Sequence, residues 1–398
     1  MKKIAIISLF EQLVFSLISF ISVVYLARFS DANNLAEYNN FMIYLTGGLM
    51  LMNSASVTPL NSLVKRLDER SLLLLSSLTA FLIAIFSAFL LIYFIGYNDI
   101  LSAILVFSSC FTWVIRDFYR KVIFHNFQSR RALVFIAVAV IAYSSTIIFF
   151  YFDGAVTFKS ILIAIILSSM IYLGPYIISL CKLICASASQ RTWSNNYWEF
   201  IRFGLFQMLS AILLWTSLNS YLVHASTGLI PKENAALRAG ISLGSIIGML
   251  ILSLENYIPK FFAKNTNNNK SVLKISLSIA LIITSSLIFI AYILSDFIFT
   301  TIFGASYKPY SFVTIFIVLW QSICLFCFIF QSILRARNKV YIITISYFAM
   351  CTFALSFSNY LIKNFGLIGL LWGLIIGQIL GVLVLLLGMF RWNVKIKE

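Results

Sequence analysis

The sequence predicts an all-α polytopic membrane protein with about twelve transmembrane helices in two six-helix halves around a central cavity. Three observations predict it. Hydrophobic residues make up 61% of the 398 residues and charged residues only 11%, with a mean hydropathy of +0.97, whereas a water-soluble domain carries about 25% charged residues. The apolar residues fall into runs near the roughly 20-residue length that a helix needs to cross a bilayer. The cations then sort by side: with the connections numbered alternately, all of the 29 Lys and Arg residues except Arg28, Lys159, Lys232, Arg238, Lys308 and Lys363 fall on one face. The positive-inside rule makes that face cytoplasmic and places both termini there. A missed or invented span would scramble the alternation downstream, so the sorted charges support the span count itself.

In chain order the spans are expected at residues 4–27, 39–62, 72–95, 100–122, 132–152, 157–181, 203–224, 236–257, 275–299, 310–334, 340–361 and 366–390. The first run is longer than the about 7–15 apolar residues of a cleavable signal peptide, and no small-residue cleavage site follows it, so it is expected to stay as a helix. The longest polar stretch, residues 186–196, separates the sixth and seventh spans and reads as a cytoplasmic linker, with Trp193 and Trp198 as interfacial anchors. It divides the chain into an N-terminal six-helix half, 1–186, a linker, 187–199, and a C-terminal six-helix half, 200–398. A faint echo joins the halves: the second span closes at Thr58-Pro59 before Lys65-Arg66, and the eighth at Ile258-Pro259 before Lys260. Such an echo fits parallel structural repeats around a central site. Gly240, Gly244 and Gly248 form one four-residue ladder, and Gly369, Gly373, Gly377 and Gly381 another. Each ladder lies on one helix face, where either tight packing or a sliding surface is served by close backbone approach.

Several function classes are excluded. The formal net charge of +16 comes from short loops, where topology and anionic headgroups account for it without nucleic acid. The six cysteines lie inside spans or at their cytoplasmic ends, so disulfides are not expected, and Cys324 and Cys327 lack the second pair or nearby His of a metal site. No nucleophile elbow or phosphate-binding glycine loop is present. No cofactor and no enzymatic activity are therefore expected.

Short stretches along the chain carry a resemblance. Glu11-Gln12, Phe20, Tyr25-Leu26-Ala27-Arg28 and Tyr38 resemble the first-helix signature of the polysaccharide transporters of the multidrug/oligosaccharidyl-lipid/polysaccharide exporter superfamily. Val57-Thr58-Pro59-Leu60 resembles the end of that family's second helix. Arg116-Asp117-Phe118-Tyr119-Arg120-Lys121, followed by Arg130-Arg131-Ala132-Leu133, resembles its basic fourth-helix exit. Asn234-Ala235-Ala236-Leu237-Arg238-Ala239 with Pro259 is similar to its eighth helix, and Phe303-Gly304 with Tyr307 to the close of its ninth. The C-terminal helices carry no matching signature. Within the family the chain most resembles the O-antigen flippases. That resemblance implies translocation of an undecaprenyl-pyrophosphate-linked oligosaccharide from the cytoplasmic to the periplasmic leaflet of a bacterial inner membrane, coupled to an ion gradient. It also implies membrane lipids, a polysaccharide polymerase and a chain-length regulator as partners. Two alternatives stand beside it: an exporter of small molecules in the same superfamily, and a membrane O-antigen polymerase or glycosyltransferase, which would need larger outer loops.

A flippase for such a lipid needs a polar route for sugar and pyrophosphate, so charges within spans are the candidate site residues. Glu11 lies roughly 12 Å along its helix beyond Lys3 and is the candidate for ion coupling; a neutral, hydrogen-bonded packing role is its alternative. Arg238 opposes the charge bias of its own loop, and its planar fork suits a pyrophosphate; snorkelling to headgroups is the alternative. Arg28, at the outer end of the first helix, and Arg116, Arg120 and Lys121, where the fourth helix enters the cytoplasm, complete the expected substrate contacts, with snorkelling and ordinary topology as their alternatives.

Overall fold

The computed structural model describes residues 2–63, 68–96, 99–125, 129–187, 193–255, 269–337 and 339–391. In order these form α1 (Lys2–Phe29), α2 (Ala32–Met52), a π-helical turn (Asn53–Val57), α3 (Thr58–Leu63), α4 (Glu69–Ile95), α5 (Ile100–His125), α6 (Ser129–Phe152) and α7 (Phe158–Ser187). There follow α8 (Trp193–Gly228), α9 (Pro231–Glu255), α10 (Asn269–Ile298) with a second π-helical turn (Phe299–Phe303), a 3-10 turn (Ala305–Tyr310), α11 (Phe312–Ala336) and α12 (Val340–Arg391). α12 breaks at Gly366, whose φ of 56° and ψ of −137° are open to glycine and strained for other residues, so residues 340–391 contain two spans. Each predicted run falls on a helix, but several helices extend past the expected ends: α2 begins at Ala32 rather than 39, α7 ends at Ser187 rather than 181, and α8 runs from Trp193 to Gly228 rather than over 203–224. Among the described residues, nine helical stretches are long and apolar enough to cross a membrane, the broken Val340–Phe390 among them. The chain is thus an all-α, multi-pass membrane protein.

Local chemistry sets the helix ends. Asp68 accepts from the Ser71 N–H at 2.9 Å and caps α4, and Asp99 accepts from the Ser102 N–H at 3.3 Å at the start of α5. Each carboxylate satisfies a donor that the helix itself leaves open. Pro231 starts α9, where its missing N–H costs nothing. The α4 helix ends at Gly96, in the left-handed region at φ 68°, whose N–H returns to the Ile92 carbonyl at 3.0 Å.

By contacts the chain forms two compact units, Met1–Val14 with Glu37–Trp215, and Phe15–Ala36 with Thr216–Glu398. The division passes within α1, within α2 and within α8. In the first unit α5 and α7 pack together, as do α4 and α5 and α6 and α7. Phe118 and Tyr119 of α5 meet Tyr176 of α7 edge to face, and the buried Tyr176 hydroxyl donates to the Ser77 carbonyl at 2.8 Å. In the second unit α11 packs on α9, α10 and α12. Here the glycine ladders meet neighbours at close range. A Cβ at Gly373 would clash with the Tyr221 ring, and one at Gly381 with Met350, while Ser346 donates to the Gly381 carbonyl at 2.9 Å. The ladders therefore serve tight packing of helix on helix.

Candidate functional site

The charged exit of α5 becomes a built cluster. Asp117, Arg120 and Lys121 stand at i, i+3 and i+4, the spacing that brings side chains together on one helix face. The Asp117 carboxylate accepts from Arg120 Nη2 through Oδ1 and from Lys121 Nζ through Oδ2, both at 2.7 Å. Lys121 also donates to the side-chain oxygen of Asn53 in the π-helical turn that follows α2. That turn packs on α4 and α5, and its extra residue shifts the helical register. It is stitched by Thr58, whose hydroxyl donates to the Asn53 carbonyl at 3.0 Å.

Arg116, one residue before Asp117, is 4% exposed, and its guanidinium lies 4.5 Å above the Trp113 ring. That is the geometry of a cation held by a π-face as well as by charge. On α6, Arg131 lies 5.5 Å from the Phe135 ring and 6.0 Å from the Tyr119 ring. Three cations and one carboxylate thus share the last turns of α5, a net positive stretch of that helix. Arg116 sits six residues before the expected end of its span at residue 122, about 9 Å along the axis. A charge that deep must be paired, coordinated or functional. Here the carboxylate does two things: it lowers the cost of embedding the cations, and it fixes the Arg120 fork and the Lys121 ammonium side by side.

The other expected contacts belong to the second unit. Arg28 Nε donates at 2.7 Å to the carbonyl of Ile302, in the π-helical turn after α10. Phe20 and Phe303 pack edge to face alongside, at 6.3 Å. Arg28 therefore satisfies a backbone carbonyl that the end of the helix leaves open. Arg238 is half-buried on α9, and its Nη2 approaches the Ser19 hydroxyl of α1 at 3.4 Å. The backbone of Glu11 lies in α1, and its side chain lies outside the described residues. The structure thus brings Arg116, Arg120 and Lys121 together in one unit, and places Arg28 and Arg238 in the other.

Two partners of the cluster escape sequence reasoning. Asn53 is an amide inside an apolar run, and its signal was a polar side chain in a span, five residues before the quoted Thr58-Pro59. Trp113 stands three residues before Arg116, a spacing that suggests contact on a helix, but an aromatic residue in an apolar span carries no mark of its own.

No protein-family model and no curated protein sequence matches the chain. Solved structures do. The chain is similar to the lipid II flippase MurJ in an inward closed conformation, with a TM-score of 0.67 and 17% identity over 100% of this chain and 90% of that one. It is similar to an inward-facing multidrug resistance MATE family transporter of the MOP superfamily, with a TM-score of 0.65 and 13% identity over 94% of each chain. A mutant of the MATE transporter VcmN of Vibrio cholerae gives a TM-score of 0.62 and 17% identity, over 98% of this chain and 96% of that one. At these identities the likeness is one of fold, and this chain has the all-α polytopic fold that the lipid II flippase and the MATE transporters share.

Proposed function

We propose that this protein is a flippase that moves an undecaprenyl-pyrophosphate-linked oligosaccharide, an O-antigen repeat unit, from the cytoplasmic to the periplasmic leaflet of a bacterial inner membrane. The observation that carries this reading is the cluster organised by Asp117, a net positive site of fixed donors within a membrane span. A pyrophosphate arriving from the cytoplasmic leaflet meets a fork, an ammonium and a buried guanidinium already ordered. Charge-assisted hydrogen bonds of this kind contribute about 1.5–3 kcal/mol each. The fold shared with a lipid II flippase supports the same reading.

In this reading both termini are cytoplasmic, and the halves 1–186 and 200–398, joined through 187–199, alternate access around a central cavity. Arg116, Arg120 and Lys121 take the pyrophosphate first, and Arg238 and Arg28 meet it later on the route. Glu11 couples the cycle to an ion gradient, because a carboxylate changes charge where an amide does not. The polysaccharide polymerase and chain-length regulator act on the delivered unit.

Deletion in a strain without redundant flippases is the test. Lipid-linked single repeat units should accumulate facing the cytoplasm and surface polysaccharide should vanish; unaltered surface polysaccharide would refute the proposal. The likeness to MATE transporters favours a second reading, export of small molecules. It predicts raised drug sensitivity in the deletion strain with polysaccharide intact.

A further inference from the structure

The turn after α2 brings an amide to the basic cluster from a second helix. Asn53 Oδ1 accepts from Lys121 Nζ, which also donates to Asp117 at 2.7 Å. An ammonium has three donors and no acceptor, so it fixes which end of the amide faces it. The oxygen turns to Lys121, and the two N–H groups of Nδ2 are left for another partner. Asn53 is half-buried, and among the described residues no group accepts from Nδ2. In a planar primary amide one N–H lies along the same edge as the oxygen. An anion oxygen seated beside Lys121 on that edge therefore receives from the ammonium and the amide together.

The segment that carries Asn53 is held from several sides. Its backbone carbonyl accepts the Thr58 N–H, which makes the π-helical bond, and the Thr58 hydroxyl at 3.0 Å. Pro59 has no N–H, so the Ala55 carbonyl lacks the donor that an α-helical residue at 59 would supply. Gly204 of α8 packs against that carbonyl: a Cβ there would lie 3.4 Å from it and 3.9 Å from the Pro59 ring. The absent side chain lets the α8 backbone approach the turn, and α4 and α5 pack on it as well. A side chain on so well supported a segment keeps its direction, as a ligand of defined geometry must.

We propose that Asn53 is a ligand of the substrate's head group, its Nδ2 donating to a phosphoryl oxygen of the pyrophosphate that Arg120 and Lys121 draw in. The proposal rests on the flippase reading above and extends the head-group site from one helix to two, across 68 residues of sequence. A phosphoryl oxygen accepts and does not donate, so it fits an edge of donors. Lys121 gives up nothing, because the amide oxygen stays on the ammonium while the nitrogen serves the anion. The amide also adds a donor without adding a charge, so the empty site costs less to keep within a span than one with a further cation. An anion held in this way bridges α5 and the turn after α2.

The competing role for Asn53 is to hold Lys121 in place and nothing more. A double-mutant cycle on the purified full chain, read as affinity for inorganic pyrophosphate, separates the two. Asn53→Ala should weaken binding about tenfold or more, the loss expected of a hydrogen bond to a charged group. In a Lys121→Met background the same substitution should still weaken it several-fold. No loss in the wild-type background would overturn the proposal; so would a loss that disappears in the Lys121→Met background, which would leave Asn53 a positioning residue for Lys121. Asn53→Asp covers the case in which alanine disturbs the turn, since it keeps an acceptor for Lys121 and removes both N–H groups. Its deficit should persist at about 1 M salt, where the Debye length is about 3 Å and the added charge is screened; a deficit that vanishes there would count against the amide. Undecaprenyl pyrophosphate should displace inorganic pyrophosphate from the wild type, and equal displacement by phosphatidylglycerol would overturn the proposal by making this an ordinary headgroup site. The flippase reading fails differently. A wild-type chain without affinity for pyrophosphate removes the whole head-group site, whereas binding weakened by Arg120→Gln and untouched by Asn53→Ala removes Asn53 alone.

Discussion

Asp117→Asn distinguishes an anion site from a structural charge network, because it removes the carboxylate and keeps the shape. Two unit charges about 4 Å apart interact by about 4 kcal/mol at an effective dielectric near 20. Asp117 makes two such contacts, to Arg120 and Lys121, and the exposures of the three side chains are 15%, 13% and 28%. That residual exposure screens the interaction. Removing one partner of a buried pair costs about 3–5 kcal/mol because the other charge stays behind. The lower end, about 3 kcal/mol, is therefore expected here.

The informative step is the response to pyrophosphate. In the variant Arg120 and Lys121 lose the carboxylate that lies between them, so an anion that binds the cluster takes the place of Asp117. A ligand at one hundred times its dissociation constant stabilises the folded state by about 2.7 kcal/mol, close to the whole deficit. Thermal unfolding of purified wild type and Asp117→Asn is measured with and without inorganic pyrophosphate, and chloride at matched ionic strength controls for screening. The variant should be destabilised alone and recover most of its loss with pyrophosphate, shifting more than the wild type does. A wild-type midpoint without ligand would show that the ion pairs carry no energy. A destabilised variant equally indifferent to pyrophosphate and chloride would make the cluster structural and remove the head-group site.

Three further outcomes follow from named residues. Arg238→Lys keeps the charge but loses the planar fork, so transport per folded molecule should fall partly, and Arg238→Ala should fall further, by the equivalent of about 1.5–3 kcal/mol; full transport by the alanine variant would make Arg238 a snorkelling anchor. Glu11→Gln should reach the membrane normally while flipping in reconstituted vesicles loses its dependence on the proton or sodium gradient; unchanged dependence would leave Glu11 a packing residue. Asp99, outside the spans, is held at about 2 by the Ser102 hydroxyl, the Lys159 ammonium and the Leu101 N–H. A depressed carboxyl contributes stability above its ordinary value, near about 3.9, that is lost as pH falls through its folded value, so Asp99→Asn should flatten the acid limb of unfolding between about pH 4 and pH 2.

What could be read from the chain alone follows from which forces act locally. Bilayer thickness imposes span length on every helix independently, so the runs at 72–95 and 100–122 need no tertiary knowledge, and α4 and α5 lie where they were expected. Charges at helical spacing are local too: Asp117, Arg120 and Lys121 meet because one helix turn puts them together. The π-helical turn at Asn53–Val57 has no such local cause; it is a register change against α4 and α5, and the Lys121 to Asn53 contact bridges 68 residues. Arg28 reaches Ile302 across 274 residues, to a carbonyl left open because the helix ends at Phe303. An apolar cleft between α2, α4 and α8 is harder still, since it consists of absent volume at Gly47, Gly48, Ser87 and Ala211, and no one of these positions implies a void until three helices face each other. The same reasoning decides the glycine ladders. Spacing alone permits packing or sliding, but Tyr221 against Gly373, Val313 against Gly240 and Ile317 against Gly244 leave no clearance for a shift of one helix past the other. Within the second unit those contacts hold helix on helix, and the π turn at Phe299–Phe303 is where a described helix of that unit changes register.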